Sequence, residues 1–346
     1  NGYRTGFFGK YLNRYWNPAY ASGYVPPGWD RWVAFPRSGY FDYDLNIDGV
    51  IRSFGSAPED YSTSVLADEA ASFIRSEKGP ILVWFTPYAP HNPATPEPRY
   101  ATAFSDLAPW RPASYNEPDV SDKPTWLQKL RPLDAEKQAG IDAFRIDQYR
   151  TLLSVDDAVG ELLAALRDSG RLHNTLIVFM SDNGILWGEH RWRTKRVAFE
   201  EAIRIPFVVR YDPLVRVPRT DPNLVLNIDV APTISDVAGV SAPGADGASL
   251  LPLLADPSAP WRDAFLIERL QKKRDLLPTY CGVRTDRYLY TVYVTGDREL
   301  YDLQSDPLEL TNLITDPSME PVVADLHARL LQLCDPPPPG LVVPPN

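Results

Sequence analysis

Cysteine, methionine and histidine are scarce in this chain, with 2, 2 and 4 among 346 residues. Two cysteines, Cys281 and Cys334, exclude the multi-bridge framework of small disulfide-rich domains, and the sequence does not say whether they pair. No uninterrupted apolar stretch approaches the roughly 20 residues of a bilayer-spanning helix, so no membrane span is expected. Positive charge is not in excess either: 35 Lys and Arg stand against 45 Asp and Glu, a net charge of -10. That balance argues against general nucleic-acid binding, which needs a basic face. An anion must instead be held by local cations. Neither an initiator Met nor a signal-peptide pattern opens the chain at Asn1-Gly2-Tyr3-Arg4, so the compartment is not legible from these residues.

Proline, by contrast, is abundant. The 35 prolines are about twice the usual share and lie mostly between periodic segments, which predicts long ordered loops. A chain of this length forms one large domain or two ordinary ones. Residues 62–76 read as a helix with Leu66, Ala70, Phe73 and Ile74 on one face, closed by Gly79-Pro80. Ile81 to Thr86 reads as a buried strand. Residues 93–133 have little periodicity and read as a surface excursion. Residues 134–169 carry a long helical pattern through Ile141, Phe144, Leu152, Val155, Val159, Leu162, Leu163 and Leu166, stopped by Gly170. Leu176 to Met180 follows as a strand buried on both faces. The alternation predicts an α/β fold, a mainly parallel sheet flanked by helices. Asp229 is placed to cap a helix ending before Gly239. Beyond Asp256 the texture changes to short strand-like runs and a last helix near 318–333. We therefore divide the chain into a catalytic domain over 1–255 and a smaller antiparallel α+β domain over 256–346.

The segment Thr175 to Arg210 is the richest in chemistry. Its first strand stops at Ser181-Asp182-Asn183-Gly184, and ligands in α/β sheets bind beyond the carboxyl ends of strands. Asp182 and Asn183 offer side-chain oxygens suited to a hard divalent cation, Ca²⁺ rather than Zn²⁺. The same four residues also make an ordinary turn, because Asn and Gly tolerate positive φ. Asp156-Asp157 tempts as a further ligand pair, but consecutive helical side chains diverge by about 100°, so solvated helix surface is expected. The basic run Arg191, Arg193, Lys195 and Arg196 follows the turn. His91, at a strand end between prolines, is a candidate general acid; the alternative is a loop histidine bonded to backbone. His190 is a second candidate, and Lys10 and Lys195 are candidate anion holders.

In order along the chain, TGFFGKYLN, FTPYAPHNP, SDNG…GEHRWRTK…EEAIRIPFVVR and YDLQSDPLELTNL resemble the formylglycine-dependent sulfatases of the alkaline-phosphatase-like superfamily. Within it the chain looks most like the branch containing N-acetylglucosamine-6-sulfatases. The resemblance spans nearly the whole chain. It implies that Asp182 and Asn183 are Ca²⁺ ligands and that Lys10 and Lys195 hold a sulfate. It implies that His91 contacts the sulfate or protonates the leaving group, with His190 a further match in the substrate-binding loop. The implied substrate is a sulfated sugar or other small molecule, the implied nucleophile is a formylglycine, and the implied setting is extracytoplasmic.

The family makes its formylglycine from Cys or Ser in a C/S-x-P-x-R motif that normally precedes the TGFFGKYLN segment, together with an Asp pair. Here only Asn1 to Arg4 precede it. Cys281-Gly282-Val283-Arg284 lacks the proline and Cys334-Asp335-Pro336 lacks the arginine. Ser258-Ala259-Pro260-Trp261-Arg262 satisfies the pattern but runs into strand-like residues, and we expect it to be coincidental. The expectation is an N-terminally incomplete sulfatase. Two other readings compete: a phosphonate or phosphate monoester hydrolase on the same fold, and a binding module without turnover. Lys272-Lys273-Arg274 could guide a polyanionic sugar or be a solvated charge run.

Overall fold

Runs of aromatic and β-branched residues build the first sheet. Arg4–Gly9 (β1), Arg31–Ala34 (β2), Tyr43–Ile47 (β3), Val50–Phe54 (β4) and Ile81–Thr86 (β5) hydrogen-bond in the order β4-β3-β2-β1-β5. This computed structural model describes residues 2–13, 15, 23–273 and 275–342, so Arg274 of the basic run lies outside the described residues. Strand β1 runs parallel to both β2 and β5, whereas β2, β3 and β4 pair antiparallel. Successive side chains leave a strand on opposite faces. Phe8 therefore packs with Val33 and Leu45 beneath Leu66, Ala70 and Phe73 of the Ser62–Ser76 helix. Phe7 faces the other way and stacks on Trp32 with ring centroids 4.6 Å apart, under Tyr11, Tyr15 and Trp29. Burying each such ring contributes roughly 2 kcal/mol.

The long helix spans Ala135–Asp168, and Gly170 adopts the left-handed φ of +72° that ends it. Val155 and Leu166 are buried on it as the periodicity predicts, but Leu152 is 38% exposed. Asp156 and Asp157 lie on its solvent side, and Asp157 pairs with Arg99 at 2.8 Å. The chain forms two compact units, Asn1–Ala108 with Asp142–Thr175, and Pro109–Ile141 with Leu176–Asn346. The division expected at 255/256 falls inside the second unit.

In the second unit Ile177–Met180 (β6) pairs antiparallel with Phe207–Arg210 (β7). Ala264–Arg269 (β8), Tyr280–Thr285 (β9), Tyr288–Tyr293 (β10) and Arg298–Asp302 (β11) form the expected antiparallel sheet in the order β11-β10-β9-β8. The Glu320–Leu333 helix lays Leu326 and Leu330 onto Cys281 and Val283 of β9. A disulfide joins Cys281 to Cys334, with 6.5 Å between their Cα atoms.

Two details differ from the sequence reading. Strands β5 and β6 are not buried on both faces: Trp84 is 45% and Phe179 43% exposed. Among the described residues each strand is hydrogen-bonded along one edge only, β5 to β1 and β6 to β7. Finally, Asp229 does not cap the Val230–Val237 helix through its side chain. It is a buried anchor that accepts from Leu226 N at 2.7 Å, Ala248 N at 2.9 Å and both terminal nitrogens of Arg262 at 2.6 Å.

Candidate active site

The six candidate residues fall into two sets, one in each unit. In the first, the parallel strands β1 and β5 end side by side, the position where α/β sheets bind ligands. Gly9 passes so close to β5 that a Cβ there would sit 1.9 Å from Thr86 O, and its φ is +131°. Only glycine allows this approach. It lets Lys10 N donate to Thr86 O at 2.8 Å while Thr86 Oγ1 donates to Lys10 O at 2.9 Å. The Lys10 backbone is thus fixed, and its ammonium lies 5.8 Å from the centroid of the Tyr88 ring.

His91 stacks on the same Tyr88 ring, with centroids 4.9 Å apart and planes inclined by 29°. Tyr88 Oη donates to Asn92 O at 2.7 Å, and burial pushes its phenol pKa upward, so the group stays a donor. His91 Nδ1 lies 2.8 Å from Asn92 O, an acceptor, which places a proton on Nδ1. Tyr40 Oη donates to His91 O at 2.6 Å. Tyr88 is therefore the platform that brings Lys10 and His91 to one place. Sequence reasoning missed it, although it lies between the strand end and the histidine in Phe85-Thr86-Pro87-Tyr88-Ala89-Pro90-His91.

In the second unit, β6 ends at Met180 and the following turn ties itself internally. Ser181 Oγ donates to Asn183 O at 2.8 Å, and Asn183 Nδ2 donates to Gly184 O at 2.9 Å. Gly184 N donates to Ala202 O at 2.9 Å, and a Cβ on Gly184 would meet Glu201 O at 2.0 Å, so glycine is required by space here. With its amide nitrogen engaged, Asn183 presents Oδ1 to Lys195 Nζ at 2.7 Å. Asp182 Oδ2 is 4.0 Å from the same ammonium, and its side chain is 85% exposed. The fold thus brings Asp182, Asn183 and Lys195 together across 12 residues of sequence.

The basic run divides by task. Arg191 is spent on three carbonyls, donating to Glu117 O, Leu130 O and Pro118 O at 2.8 to 2.9 Å. Lys195 serves Asn183, and Arg196 turns toward Asp275 at 3.5 Å. His190 departs from its expected place facing substrate. It is fully buried, stacked on Phe199 at 3.9 Å, with Nδ1 2.7 Å from Glu117 Oε2. Glu117 in turn lies 3.4 Å from the buried Lys123 ammonium. His190 therefore belongs to the interior that supports the Lys195 loop.

Asp182 and Asn183 suit a hard cation in kind, but Ca²⁺ takes six to eight oxygens. Among the described residues no group of three or more His, Cys, Asp or Glu is placed to hold a metal. Two oxygens, one of them bonded to Lys195, do not make a calcium shell. Ser258 does not fit a nucleophile either. Its Oγ donates to Asp256 Oδ1 at 2.7 Å in an exposed turn, and Arg262 of the same motif is held by Asp229.

The sulfatase family model matches residues 1–240, over two thirds of the chain. The chain belongs to the sulfatase family. A second family model, described as N-sulphoglucosamine sulphohydrolase, C-terminal, matches residues 188–335. Goat N-acetylglucosamine-6-sulfatase is 34% identical, the match covering 96% of this chain and 66% of that sulfatase. An extracellular sulfatase SULF-1 homolog of Drosophila melanogaster is 34% identical over 77% of this chain and 25% of its own length. The chain thus spans just under two thirds of one curated sulfatase and a quarter of the other. A solved structure of a protein bound to its substrate D-glucosamine-2-N,6-O-disulfate superposes with a TM-score of 0.84 at 24% identity. That match covers 96% of this chain and 80% of the solved one, and it carries the sulfatase fold.

The interior beneath the site carries its own pH dependence. Glu309 is fully buried with Oε2 accepting from Glu200 N at 2.8 Å, and burial raises its pKa well above the usual carboxyl range. Burial likewise raises Glu299, although Tyr293 and Tyr301 donate to it, and Glu201. A carboxyl raised in the folded state binds more protons folded than unfolded. Its stabilisation is therefore complete below the unfolded value of about 4.3 and is lost as pH rises toward the folded value. Asp302, lowered by its bond to Arg287, acts oppositely but only below that window. We expect the urea midpoint to fall between pH 5 and pH 8. Glu309→Gln should flatten this fall by up to about 1.4 kcal/mol per pH unit. A variant with an unchanged slope would contradict the assignment.

Proposed function

We propose that this chain carries the substrate-facing residues of a sulfuric ester hydrolase acting on sulfated sugars of the glucosamine or glycosaminoglycan type. The observation that carries this reading is Lys195 Nζ bonded to Asn183 Oδ1 beside Asp182, at the end of a strand, in a chain of the sulfatase family. Lys195 in the second unit and Lys10 in the first are each an ammonium suited to a sulfate oxygen; an ammonium held in place stabilises charge that develops on such an oxygen. His91, with Nδ1–H held by Asn92 O, donates the proton on Nε2 of its imidazolium to the leaving alcohol oxygen. Tyr88 holds the lysine and the histidine in register. Asp182 and Asn183 would offer two oxygens to a Ca²⁺, which would help neutralise the sulfate; further oxygen ligands would be needed to complete its shell. His190 supports the loop from within.

The division at 255/256 is retained in the same spirit: the sulfatase model ends at 240 and the antiparallel sheet begins at 264. The disulfide and the extracellular relative support an extracytoplasmic setting.

Residues 1–346 contain no C/S-x-P-x-R motif other than Ser258–Arg262, so the chain alone is expected to be inactive. With added Ca²⁺ it should hydrolyse 4-nitrocatechol sulfate at the buffer rate. Clear turnover, or an aldehyde found at residue 258 by mass spectrometry, would contradict this. Calorimetry should find glucosamine 6-sulfate bound in preference to glucosamine 6-phosphate. The reverse preference would favour the phosphonate or phosphate ester reading.

A further inference from the structure

Asn183-Gly184 is a chemically fragile pair as well as part of the candidate site. After an asparagine, the backbone nitrogen of a glycine attacks the side-chain amide most readily, because no Cβ hinders its approach. The fold does not allow a bulkier, slower residue at 184: a Cβ there would lie 2.0 Å from Glu201 O. Residue 183 is tied as well, since its Oδ1 is the partner of Lys195 at 2.7 Å. Asn183 is half-buried and Asp182 before it is exposed, so water reaches the turn.

Hydrogen bonds hold the two reacting groups apart. Gly184 N, the nucleophile, donates to Ala202 O at 2.9 Å. Asn183 Nδ2 donates forward to Gly184 O at 2.9 Å, while its Oδ1 accepts from Lys195 Nζ. Lys195 polarises the amide, but it also fixes the amide in an orientation turned away from Gly184 N. Ser181 Oγ, donating to Asn183 O at 2.8 Å, pins the carbonyl between them. Cyclisation needs Gly184 N to swing onto Asn183 Cγ, which breaks these bonds. Ala202 and Lys195 come from the chain beyond the turn, so the protection is lost when that loop opens.

We propose that Asn183-Gly184 is a site of spontaneous deamidation, closed in the folded chain and opened when Lys195 and Ala202 release the turn. Gly184 N gives up its proton and bonds to Asn183 Cγ; the Cγ–Nδ2 bond breaks and ammonia leaves with that proton. Water then opens the succinimide ring at Cγ to give aspartate, or at the main-chain carbonyl carbon to give isoaspartate. Aspartate puts a carboxylate against the Lys195 ammonium and cancels the charge offered to an anion. Isoaspartate lengthens the main chain by a methylene in a turn closed by its own hydrogen bonds. The chemistry is independent of any substrate; its effect on sulfate binding rests on the sulfate-ester reading.

The test is peptide mass mapping of residues 1–346 after incubation at mildly alkaline pH, native and unfolded in guanidinium chloride. Residue 183 should exchange amide for carboxyl at least about tenfold more slowly in the native chain, since only the opened turn reacts. Lys195→Ala should convert faster than the unaltered native chain while its urea midpoint is unchanged. Equal native and unfolded rates, no conversion at 183 in the unfolded chain, or no acceleration in Lys195→Ala would overturn the proposal. The comparison of native with unfolded chain needs no variant. By calorimetry Asn183→Asp should bind glucosamine 6-sulfate about tenfold more weakly than the unaltered chain. Undiminished binding by this variant would overturn the effect on the site. Failure of the unaltered chain to bind would instead overturn the sulfate-ester reading and leave the deamidation standing.

Discussion

Lys195→Ala should weaken the binding of glucosamine 6-sulfate to residues 1–346 by about ten- to a hundredfold, the effect of losing a charge-assisted bond to an anion. The folded state should hardly notice. Lys195 is partly exposed, and Asn183 Oδ1, its partner at 2.7 Å, can be hydrated once the ammonium is gone. Exposed pairs such as Lys195 with Asp182 at 4.0 Å contribute on the order of 0–1 kcal/mol to stability. Affinity and stability should therefore separate: calorimetry falls sharply while the urea midpoint stays within error. If both fell together, Lys195 would be a structural residue of the turn and the assignment of the site would be wrong. Lys10→Ala should behave in the same way, since its side chain lies over Tyr88 and only its backbone is tied to Thr86.

The largest loss of stability should come from the disulfide. Cys281 and Cys334 are separated by 53 residues, and closing a loop of that length in the unfolded chain is worth about 4 kcal/mol on the entropic account. Both cysteines are buried and pack among Val283, Leu326 and Leu330, so little water reaches the bridge. Against a total of roughly 5–15 kcal/mol for a typical domain, Cys334→Ser removes a large fraction. Equilibrium urea unfolding should register a loss of about 2–4 kcal/mol. A non-reducing digest should yield one linked peptide pair. Recovery of both thiols free from the native protein, or a loss under about 0.5 kcal/mol, would contradict the bridge as a stabilising element.

Much of the fold was legible because its signals are local. The Ser62–Ser76 helix, the Ala135–Asp168 helix and the four strands after Ala264 follow from periodicity and from Gly and Pro punctuation. What escaped depends on contacts distant in sequence. The antiparallel partnership of β2, β3 and β4 beside a parallel β1 cannot be inferred from strand composition. Asp229 has the composition of a helix cap, yet Arg262, 33 residues away, claims its carboxylate. Whether Cys281 and Cys334 pair was open until β9 and the last helix were seen to meet.

The candidate site divides in the same way. Asp182, Asn183 and Lys195 lie within one segment, but its residues also read as an ordinary turn and a solvated lysine, and it was the family resemblance that singled them out. His190 occupies the same loop, but burial against Phe199 and Glu117 is a tertiary fact that its sequence neighbours do not encode. Tyr88 was passed over because a tyrosine among prolines carries no distinctive pattern. The ring it shares between Lys10 and His91 makes it notable.

Hydrogen–deuterium exchange of residues 1–346, with and without glucosamine 2-N,6-O-disulfate, tests the central claim most directly. The account expects added protection in peptides covering residues 9–13, 88–92 and 181–196, and little change elsewhere. Saturating sugar with no protection in these segments, or protection confined to a different surface, would contradict it.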